Sequence, residues 1–180
     1  AGDLYSKSTT GETFPADTLT SRVIRLDSVS KPFPRKLTTN DSVALSFYYL
    51  PGGGTGDAWT RSGDTPEEDD VLLLEFFNPL LGNWQQVWKA NGISVDSLIA
   101  QTGTDWQYVY IPIAQEYLSS HFQFRFRNYC SFDNAMEAGM VGNCDQWHID
   151  YIRLDATRTV DDQYERDVAF VTPAPSLLRN

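Results

Sequence analysis

The chain has 180 residues, of which 41% are hydrophobic and 13% aromatic, so it can bury the core of one globular domain. Its formal net charge is -10, from 24 acidic and 14 basic side chains. This balance argues against nucleic-acid binding, because a binder needs lysine and arginine to replace the counterions on phosphates. It neither favours nor disfavours carbohydrate ligands, and it is compatible with calcium. The alternative is that the charge serves solubility alone.

The ends of the chain indicate its domain organisation. No apolar run approaches the roughly 20 residues that a membrane-spanning helix needs, so we expect no membrane span. The sequence ends with PAPSLLRN, which is typical of the start of a linker. We therefore expect a single domain over residues 1–160. Residues 161–180 are expected to form a C-terminal extension or a linker to further domains of a larger protein.

Segments with strand character alternate with turn-rich loops along the chain. In 121–129, Phe122, Phe124 and Phe126 alternate with polar residues, which is the period of a strand with one buried face. Segments 94–101 and 114–120 predict at most a short helical turn each. The predicted strands are 22–29, 42–50, 70–78, 84–90, 105–113, 121–129, 146–154 and 167–171. Many short strands separated by Gly, Pro and Asn predict an all-β fold, an antiparallel β-sandwich.

The loop PGGGTGDAWTRSGDTPEEDD, residues 51–70, is unusually long for a compact domain. Loops of this length are usually functional or mobile. Trp59 lies in its middle without apolar neighbours in sequence. An exposed aromatic ring can stack on a sugar, so Trp59 is the first candidate for a carbohydrate contact. The alternative is that Trp59 anchors the loop on the sandwich.

A second candidate ligand site comes from the strand predicted at 105–113. Its alternation places Trp106, Tyr108 and Tyr110 on one face. Arg125 and Arg127, on another strand, are candidate hydrogen-bond donors to the same ligand. The alternative is that the aromatic face packs in the core between two sheets.

The acidic residues near loops are candidates for calcium binding. Calcium takes six to eight oxygen ligands, commonly carboxylates and carbonyls of loops. No Asp-x-Asp-x-Asp loop is present, and a solvated acidic loop is the alternative. The candidate ligands are Asp57, Asp64, Asp69, Asp70 and Asp145.

The only two cysteines, Cys130 and Cys144, flank the polar loop SFDNAMEAGMVGN. This arrangement is compatible with a disulfide, which would contribute roughly 3 kcal/mol in the chain-entropy model. Two buried free thiols are the alternative.

The stretch CDQWHIDYIRLD, residues 144–155, concentrates polar residues on one predicted strand. Cys144 and His148 are four residues apart, about 13 Å along a strand, which is too far for a local nucleophile and base. A zinc site needs about four nitrogen or sulfur ligands at close spacing. The chain has two cysteines and two histidines in total, and His121 lies on a different predicted strand from His148, so zinc is not expected. We therefore predict a core strand and no catalytic residues. A hydrolase in which Glu75 and Asp150 face each other is a further alternative.

Six motifs, in order, resemble the MAM-type and related concanavalin A-like jelly-roll modules of bacterial secreted or surface proteins. They are LSFYYLPGG, DVLLLEF, W..VW, W.YVYIPI, FQFRFRN and DQWHIDYIRLD, spread over residues 20–155. The W-x-I-D-x-I core of the last strand falls on Trp147, Ile149, Asp150 and Ile152.

The resemblance implies a jelly roll and a non-catalytic module that binds carbohydrate or a protein partner. It also implies a secreted or cell-surface location, which includes the periplasm and the outer membrane, and neighbouring domains in a larger polypeptide. Some such modules hold a structural calcium ion. The alternative function is a purely structural spacer.

Overall fold

The computed structural model describes residues 13–30, 34–52, 65–131 and 145–156. These residues form an all-β structure with little helix. The strands are β1 Phe14–Thr20, β2 Ser28–Val29, β3 Arg35–Lys36, β4 Val43–Pro51, β5 Val71–Asn78, β6 Asn83–Asn91, β7 Gln107–Pro112, β8 Phe124–Cys130 and β9 Trp147–Ala156. The helix α1 spans Val95–Thr102, and two short 3-10 helices span Thr39–Asp41 and Gln115–Tyr117.

The strands form two larger antiparallel sheets and one small one. The four-stranded sheet has the order β1-β8-β5-β6, the three-stranded sheet β7-β4-β9, and β2 pairs with β3. Only β5 and β6 are consecutive neighbours within a larger sheet. From β4 onwards, all connections between consecutive strands except that from β5 to β6 pass from one of the larger sheets to the other.

The two larger sheets share one hydrophobic core. Leu74 and Phe126 from the four-stranded sheet and Leu45 and Phe47 from the three-stranded sheet are almost completely buried. Phe47 and Phe126 meet across the sheets with ring centroids 4.9 Å apart and planes at 78°, the favoured edge-to-face geometry. The structure is therefore sandwich-like. Since side chains alternate between the faces of a strand, the neighbours of core residues point outwards.

Most of the predicted elements are confirmed within a few residues. The segments predicted between residues 42 and 154 correspond to β4 through β9. The predicted helical segments correspond to α1 and to the 3-10 helix Gln115–Tyr117. The strand predicted at 167–171 lies outside the described residues. Within the described part of the chain, we find no helix long and apolar enough to cross a membrane.

The strand predicted at 22–29 is wrong. This segment contributes only the two-residue β2 and an isolated bridge between Ile24 and Phe122. The edge strand that pairs with β8 in the four-stranded sheet is instead β1. Only one of its seven residues, Phe14, is buried, so β1 has no hydrophobic alternation that would predict it. Its backbone pairing with β8 makes it a strand.

Candidate functional site

A groove of about 280 Å³ runs over the outer face of the three-stranded sheet. Tyr108 and Tyr110 point into it because Val109, between them, is buried in the core. The two tyrosines are 57% and 52% exposed, so the alternative that this face packs between the sheets is wrong. The groove is lined by Ser42, Ala44, Ser46, Tyr48, Tyr108, Tyr110, Tyr151, Arg153 and Asp155.

Three tyrosines form a row across the three strands of this sheet. The ring centroids of Tyr48 and Tyr108 are 5.1 Å apart, and those of Tyr48 and Tyr151 are 6.5 Å apart. Neighbouring strands lie about 4.8 Å apart, so one ring on each strand gives a continuous aromatic surface. Sequence reasoning identified Tyr108 but not Tyr48 or Tyr151. The alternation in 42–50 could have indicated Tyr48.

A β-bulge brings Tyr151 into the row. The register of β4 and β9 shifts between Ser46 and Tyr48. Ile149 packs on the core before the bulge and Leu154 packs on it after the bulge. The residues of β9 that face the core are therefore odd-numbered before the bulge and even-numbered after it. Simple alternation along 146–154 predicts that Trp147, Ile149 and Tyr151 share one face. That prediction is wrong, because a bulge adds a residue and changes the direction of the side chains beside it.

The backbone around the groove is strained at two places. Tyr151 has φ 53° and Ser42 has φ 46°, both in the left-handed region. They are the only non-glycine residues with positive φ in the part of the chain that the structure describes, and both line the groove. Such strain persists where the surrounding structure enforces it, and it is concentrated at functional sites.

Polar groups lie at the Tyr151 side of the row. The Arg153 Nη2 and Asp155 Oδ2 atoms are 3.1 Å apart, and both side chains are about half exposed. The Arg153 guanidinium carbon lies 5.6 Å from the centroid of the Tyr151 ring. This pair offers donors and acceptors to a ligand seated on the tyrosines.

Arg125 and Arg127 do not join this groove. Both are on β8, and they point outwards from the four-stranded sheet because Phe124 and Phe126 point into the core. The Arg125 guanidinium carbon lies 4.3 Å from the centroid of the Trp84 ring, and the Arg127 carbon lies 4.6 Å from that of Tyr129. The prediction that these arginines and the tyrosines form one ligand site is wrong, since they belong to opposite outer faces of the structure.

The two tryptophans predicted as ligand contacts, Trp106 and Trp59, differ in outcome, because only Trp106 belongs to the described residues. Trp106 is half-buried and directly precedes β7, and its carbonyl oxygen accepts a 3.1 Å hydrogen bond from Thr104. It is not among the residues that line the groove. Trp59 lies outside the described residues, so its role as a sugar contact stays a prediction.

Three carboxylates form a second cluster, at the opposite end of β9 from Asp155. Glu67 and Asp70 precede β5, and Asp145 precedes β9. One oxygen from each of the three lies within 4.8 Å of those of the others. Asp70 is completely buried and Asp145 is 5% exposed. Both segments are hydrogen-bonded to the end of β8, where the amide of Ser131 donates to Asp70 and the Asn128 side chain donates to the carbonyl of Asp145.

Backbone amides orient Asp70 within the cluster. Its Oδ1 accepts a 2.7 Å hydrogen bond from the amide of Ser131, and its Oδ2 accepts one of 2.7 Å from the amide of Glu67. Each carboxylate oxygen has a second lone pair. Asp70 is thereby held in one orientation and retains acceptor capacity.

The electrostatic environment of Asp145 strongly favours its protonated form. Burial raises the pKa of Asp145, and the nearby charges and hydrogen-bonding groups of Asp70 and Glu67 raise it further, to about 10. Burial and like charge both favour the neutral carboxyl. The three carboxylates therefore cannot all be ionised at neutral pH without a compensating cation.

Two of the five predicted calcium ligands, Asp70 and Asp145, are brought together in this cluster. Asp69 is exposed and does not belong to it. Asp57 and Asp64 lie outside the described residues. Glu67 was not predicted, although its place in the run EEDD, next to the predicted Asp69 and Asp70, could have indicated it.

The remaining chemical predictions concern Cys130 and the carboxylates Glu75 and Asp150. Cys130 is buried, and Cys144 lies outside the described residues, so the disulfide stays a prediction. Glu75 forms an ion pair with Arg125 on the outer face of the four-stranded sheet. Asp150 is exposed on the other sheet and accepts a hydrogen bond from the amide of Tyr151. The two acids therefore do not face each other as a hydrolase would need.

No protein-family model, curated protein or solved structure matches this chain. The tyrosine groove and the carboxylate cluster are therefore the basis for assigning a function. The groove is open to solvent and rich in aromatic surface, which suits reversible binding of a ligand. The cluster is buried, which suits a structural role.

Proposed function

We propose that this chain is a non-catalytic module that binds carbohydrate in the groove across β7, β4 and β9. The observation that carries the proposal is the row of tyrosines on an outer sheet face. Tyr108, Tyr110 and Tyr151 are each more than half exposed. Contiguous aromatic surface left in water is typical of an interaction site.

The chemistry of the groove favours a sugar as the occupant. A tyrosine ring offers an apolar face for the C–H face of a sugar, and its hydroxyl adds a hydrogen-bonding group. The exposed Arg153 and Asp155 pair beside the row supplies charged donors and acceptors for sugar hydroxyls. A large apolar protein interface would instead favour fewer charged groups at its centre.

The backbone strain supports a binding role over the alternative of a purely structural spacer. The positive φ of Ser42 ends the 3-10 helix Thr39–Asp41, which is an ordinary structural role. A spacer gains nothing, however, from holding Tyr151 at positive φ. A binding site gains rigid placement of the Tyr151 ring, since preorganised groups lose less entropy on binding.

The proposal includes a jelly-roll fold of the concanavalin A-like type. It is supported by the repeated passage of the chain between the two larger sheets from β4 to β9 and by the motif resemblance to MAM-type modules. The same resemblance supports a place beside other domains of an exported or cell-surface protein.

The test is a glycan-array screen of the purified chain, followed by titration of the best glycan into variants. We expect Tyr108→Ala to lower the affinity at least about tenfold, as loss of a central aromatic contact does. Tyr129→Ala is the matched control, because it makes the same change on the opposite outer face.

Unchanged affinity in Tyr108→Ala together with weakened binding in Tyr129→Ala would place the site on the four-stranded sheet and contradict the groove. Failure to bind any glycan on the array would contradict carbohydrate recognition and favour a protein partner or a spacer.

A further inference from the structure

Two carboxylates of the cluster, Asp70 and Asp145, have no basic ion-pair partner among the residues that the structure describes. Asp70 and Asp145 are both at least 95% buried. Among the ion pairs that join described residues, none includes either of them. Buried carboxylates are ordinarily paired with a cation or bind a metal.

Unsatisfied oxygen atoms belong to the cluster and to two residues that are hydrogen-bonded to it. Asp145 Oδ2, Ser131 Oγ and Asn128 Oδ1 are buried and have no hydrogen-bond partner. Ser131 is 5% exposed, and its amide binds Asp70. The Asn128 Nδ2 atom donates a 2.8 Å hydrogen bond to the carbonyl of Asp145, so this side-chain amide lies against the Asp145 backbone.

Three buried oxygen atoms without a hydrogen-bond partner, in the cluster and in two residues hydrogen-bonded to it, indicate that a cation binds here. Buried polar atoms almost always have a partner, and leaving one unpaired is costly. Ser131 is hydrogen-bonded to Asp70, which precedes it by 61 residues, so the convergence does not result from one local turn. A cation would satisfy all of them at once.

We propose that Glu67, Asp70 and Asp145 bind one Ca²⁺ ion. The side-chain oxygens of Asn128 and Ser131 are its further protein ligands. Every donor is an oxygen, which suits a hard cation. Two oxygens on one Ca²⁺ at 2.3–2.6 Å are at most about 5 Å apart, and the carboxylate oxygens lie within 4.8 Å of one another. Mg²⁺ at about 2.0–2.1 Å needs a tighter arrangement.

The ion ties together three segments of the chain. Glu67 and Asp70 lie before β5, Asn128 and Ser131 lie at the end of β8, and Asp145 lies before β9. The site thereby crosslinks a strand of the three-stranded sheet to two strands of the other sheet. It is separate from the tyrosine groove, so either proposal can fail without the other.

The experiment uses the full chain, stripped with a chelator and exchanged into buffer near neutral pH. Calcium chloride is titrated into it by calorimetry, and Tm is measured over the same concentrations. We expect one Ca²⁺ per chain and a Tm that rises with calcium, since an ion that binds only the folded state stabilises it. Magnesium chloride should produce a smaller shift.

Variants assign the binding to this cluster. We expect Asp145→Asn to lower the calcium affinity at least about a hundredfold and Ser131→Ala about tenfold, as loss of a ligand or a supporting group does. Asp69→Asn is the matched control, because it removes one carboxylate charge from an exposed residue that directly precedes Asp70 but lies outside the cluster. Its affinity should stay within about twofold of the parent chain.

Two results would overturn the proposal. The first is no binding heat and no Tm change up to about 10 mM calcium, which exceeds the range of weak extracellular calcium sites. The second is an equal loss of affinity in Asp69→Asn and Ser131→Ala. If Asp145→Asn does not fold, the titration of the parent chain and of Ser131→Ala still decides the question.

Discussion

Gly92 lies directly against the backbone of Glu67. A Cβ atom built on Gly92 would come 1.5 Å from the carbonyl oxygen of Glu67. The Gly92 amide also donates a 2.8 Å hydrogen bond to the carbonyl of Asp70. The end of β6 therefore supports the loop that carries two of the three clustered carboxylates, and it can do so only with glycine at this position.

Substitution of Gly92 should disturb the carboxylate cluster from a distance. In Gly92→Ala the new methyl group must displace the Glu67 backbone, so we expect a loss of about 1–3 kcal/mol in unfolding free energy. We also expect calcium affinity to fall at least about tenfold, because the Glu67 and Asp70 side chains move with their backbone. Urea denaturation and calcium titration measure the two effects.

Gly82 provides the control for this variant. It has φ 67°, and a methyl group added there would meet no atom within 4 Å, so Gly82→Ala costs about 1 kcal/mol through backbone strain alone. Its calcium affinity should equal that of the parent chain. If both variants lose affinity alike, general destabilisation rather than the cluster explains the result.

In chelator, the stability of the protein should depend on Asp145. The pKa of Asp145 is raised from 3.8 to about 10, first by burial and then by Asp70. The folded state therefore holds this proton more tightly than the unfolded state does. The resulting stabilisation is largest below pH 3.8 and is lost progressively as the pH rises towards about 10.

We therefore expect Tm in EDTA to fall between about pH 5 and about pH 8. Asp145→Asn mimics the neutral carboxyl, so it should weaken this dependence and raise Tm at the upper pH. Asp155→Asn, on an exposed side chain, should leave the dependence unchanged. The expectation fails if the parent chain and Asp145→Asn show the same pH profile.

Tyr151 should carry a measurable cost of backbone strain. At φ 53° a glycine is relaxed, whereas any residue with a Cβ atom is strained. We expect Tyr151→Gly to be more stable than Tyr151→Ala by about 1 kcal/mol, although both lose the ring. Both variants should lose glycan affinity equally, so a difference in affinity between them would contradict a binding role for the ring itself.

The ion pair of Glu75 with Arg125 should stabilise the four-stranded sheet. Glu75 is 9% exposed, and Arg125 is also stacked on Trp84. Glu75→Gln leaves two nearby arginines without a counter-charge, so we expect a loss of about 1–3 kcal/mol. Chemical denaturation measures it, with Asp155→Asn as the exposed control at less than about 0.5 kcal/mol. An equal loss of unfolding free energy in Glu75→Gln and Asp155→Asn would contradict the expectation that the buried ion pair stabilises the sheet more than an exposed one.

Local patterns predicted much of the fold and little of the sites. The alternation in 121–129 predicted β8, because one face of that strand is core. The same reasoning predicted Tyr108 and Tyr110 on one face, and their exposure confirms that they point away from the core. It could not exclude their burial, since a period of two does not reveal which face of a strand is covered.

The errors arise where pairing partners decide the structure. β1 has almost no apolar alternation and forms through hydrogen bonds to β8. The prediction that Arg125 donates to a ligand on Tyr108 is wrong because their strands belong to different sheets. Nothing local in either strand specifies the sheet to which it belongs.

The sequence by itself determined an all-β chain with antiparallel strands, because hydrophobic periodicity and turn residues act over a few neighbours. The tertiary structure alone decided which side chains meet. The bulge in β9 turned Tyr151 towards Tyr48, and the packing of the segments before β5 and β9 brought Asp145 to Asp70. Both contacts join residues far apart in sequence, and their positions depend on strand register and sheet order, which are properties of the whole folded chain.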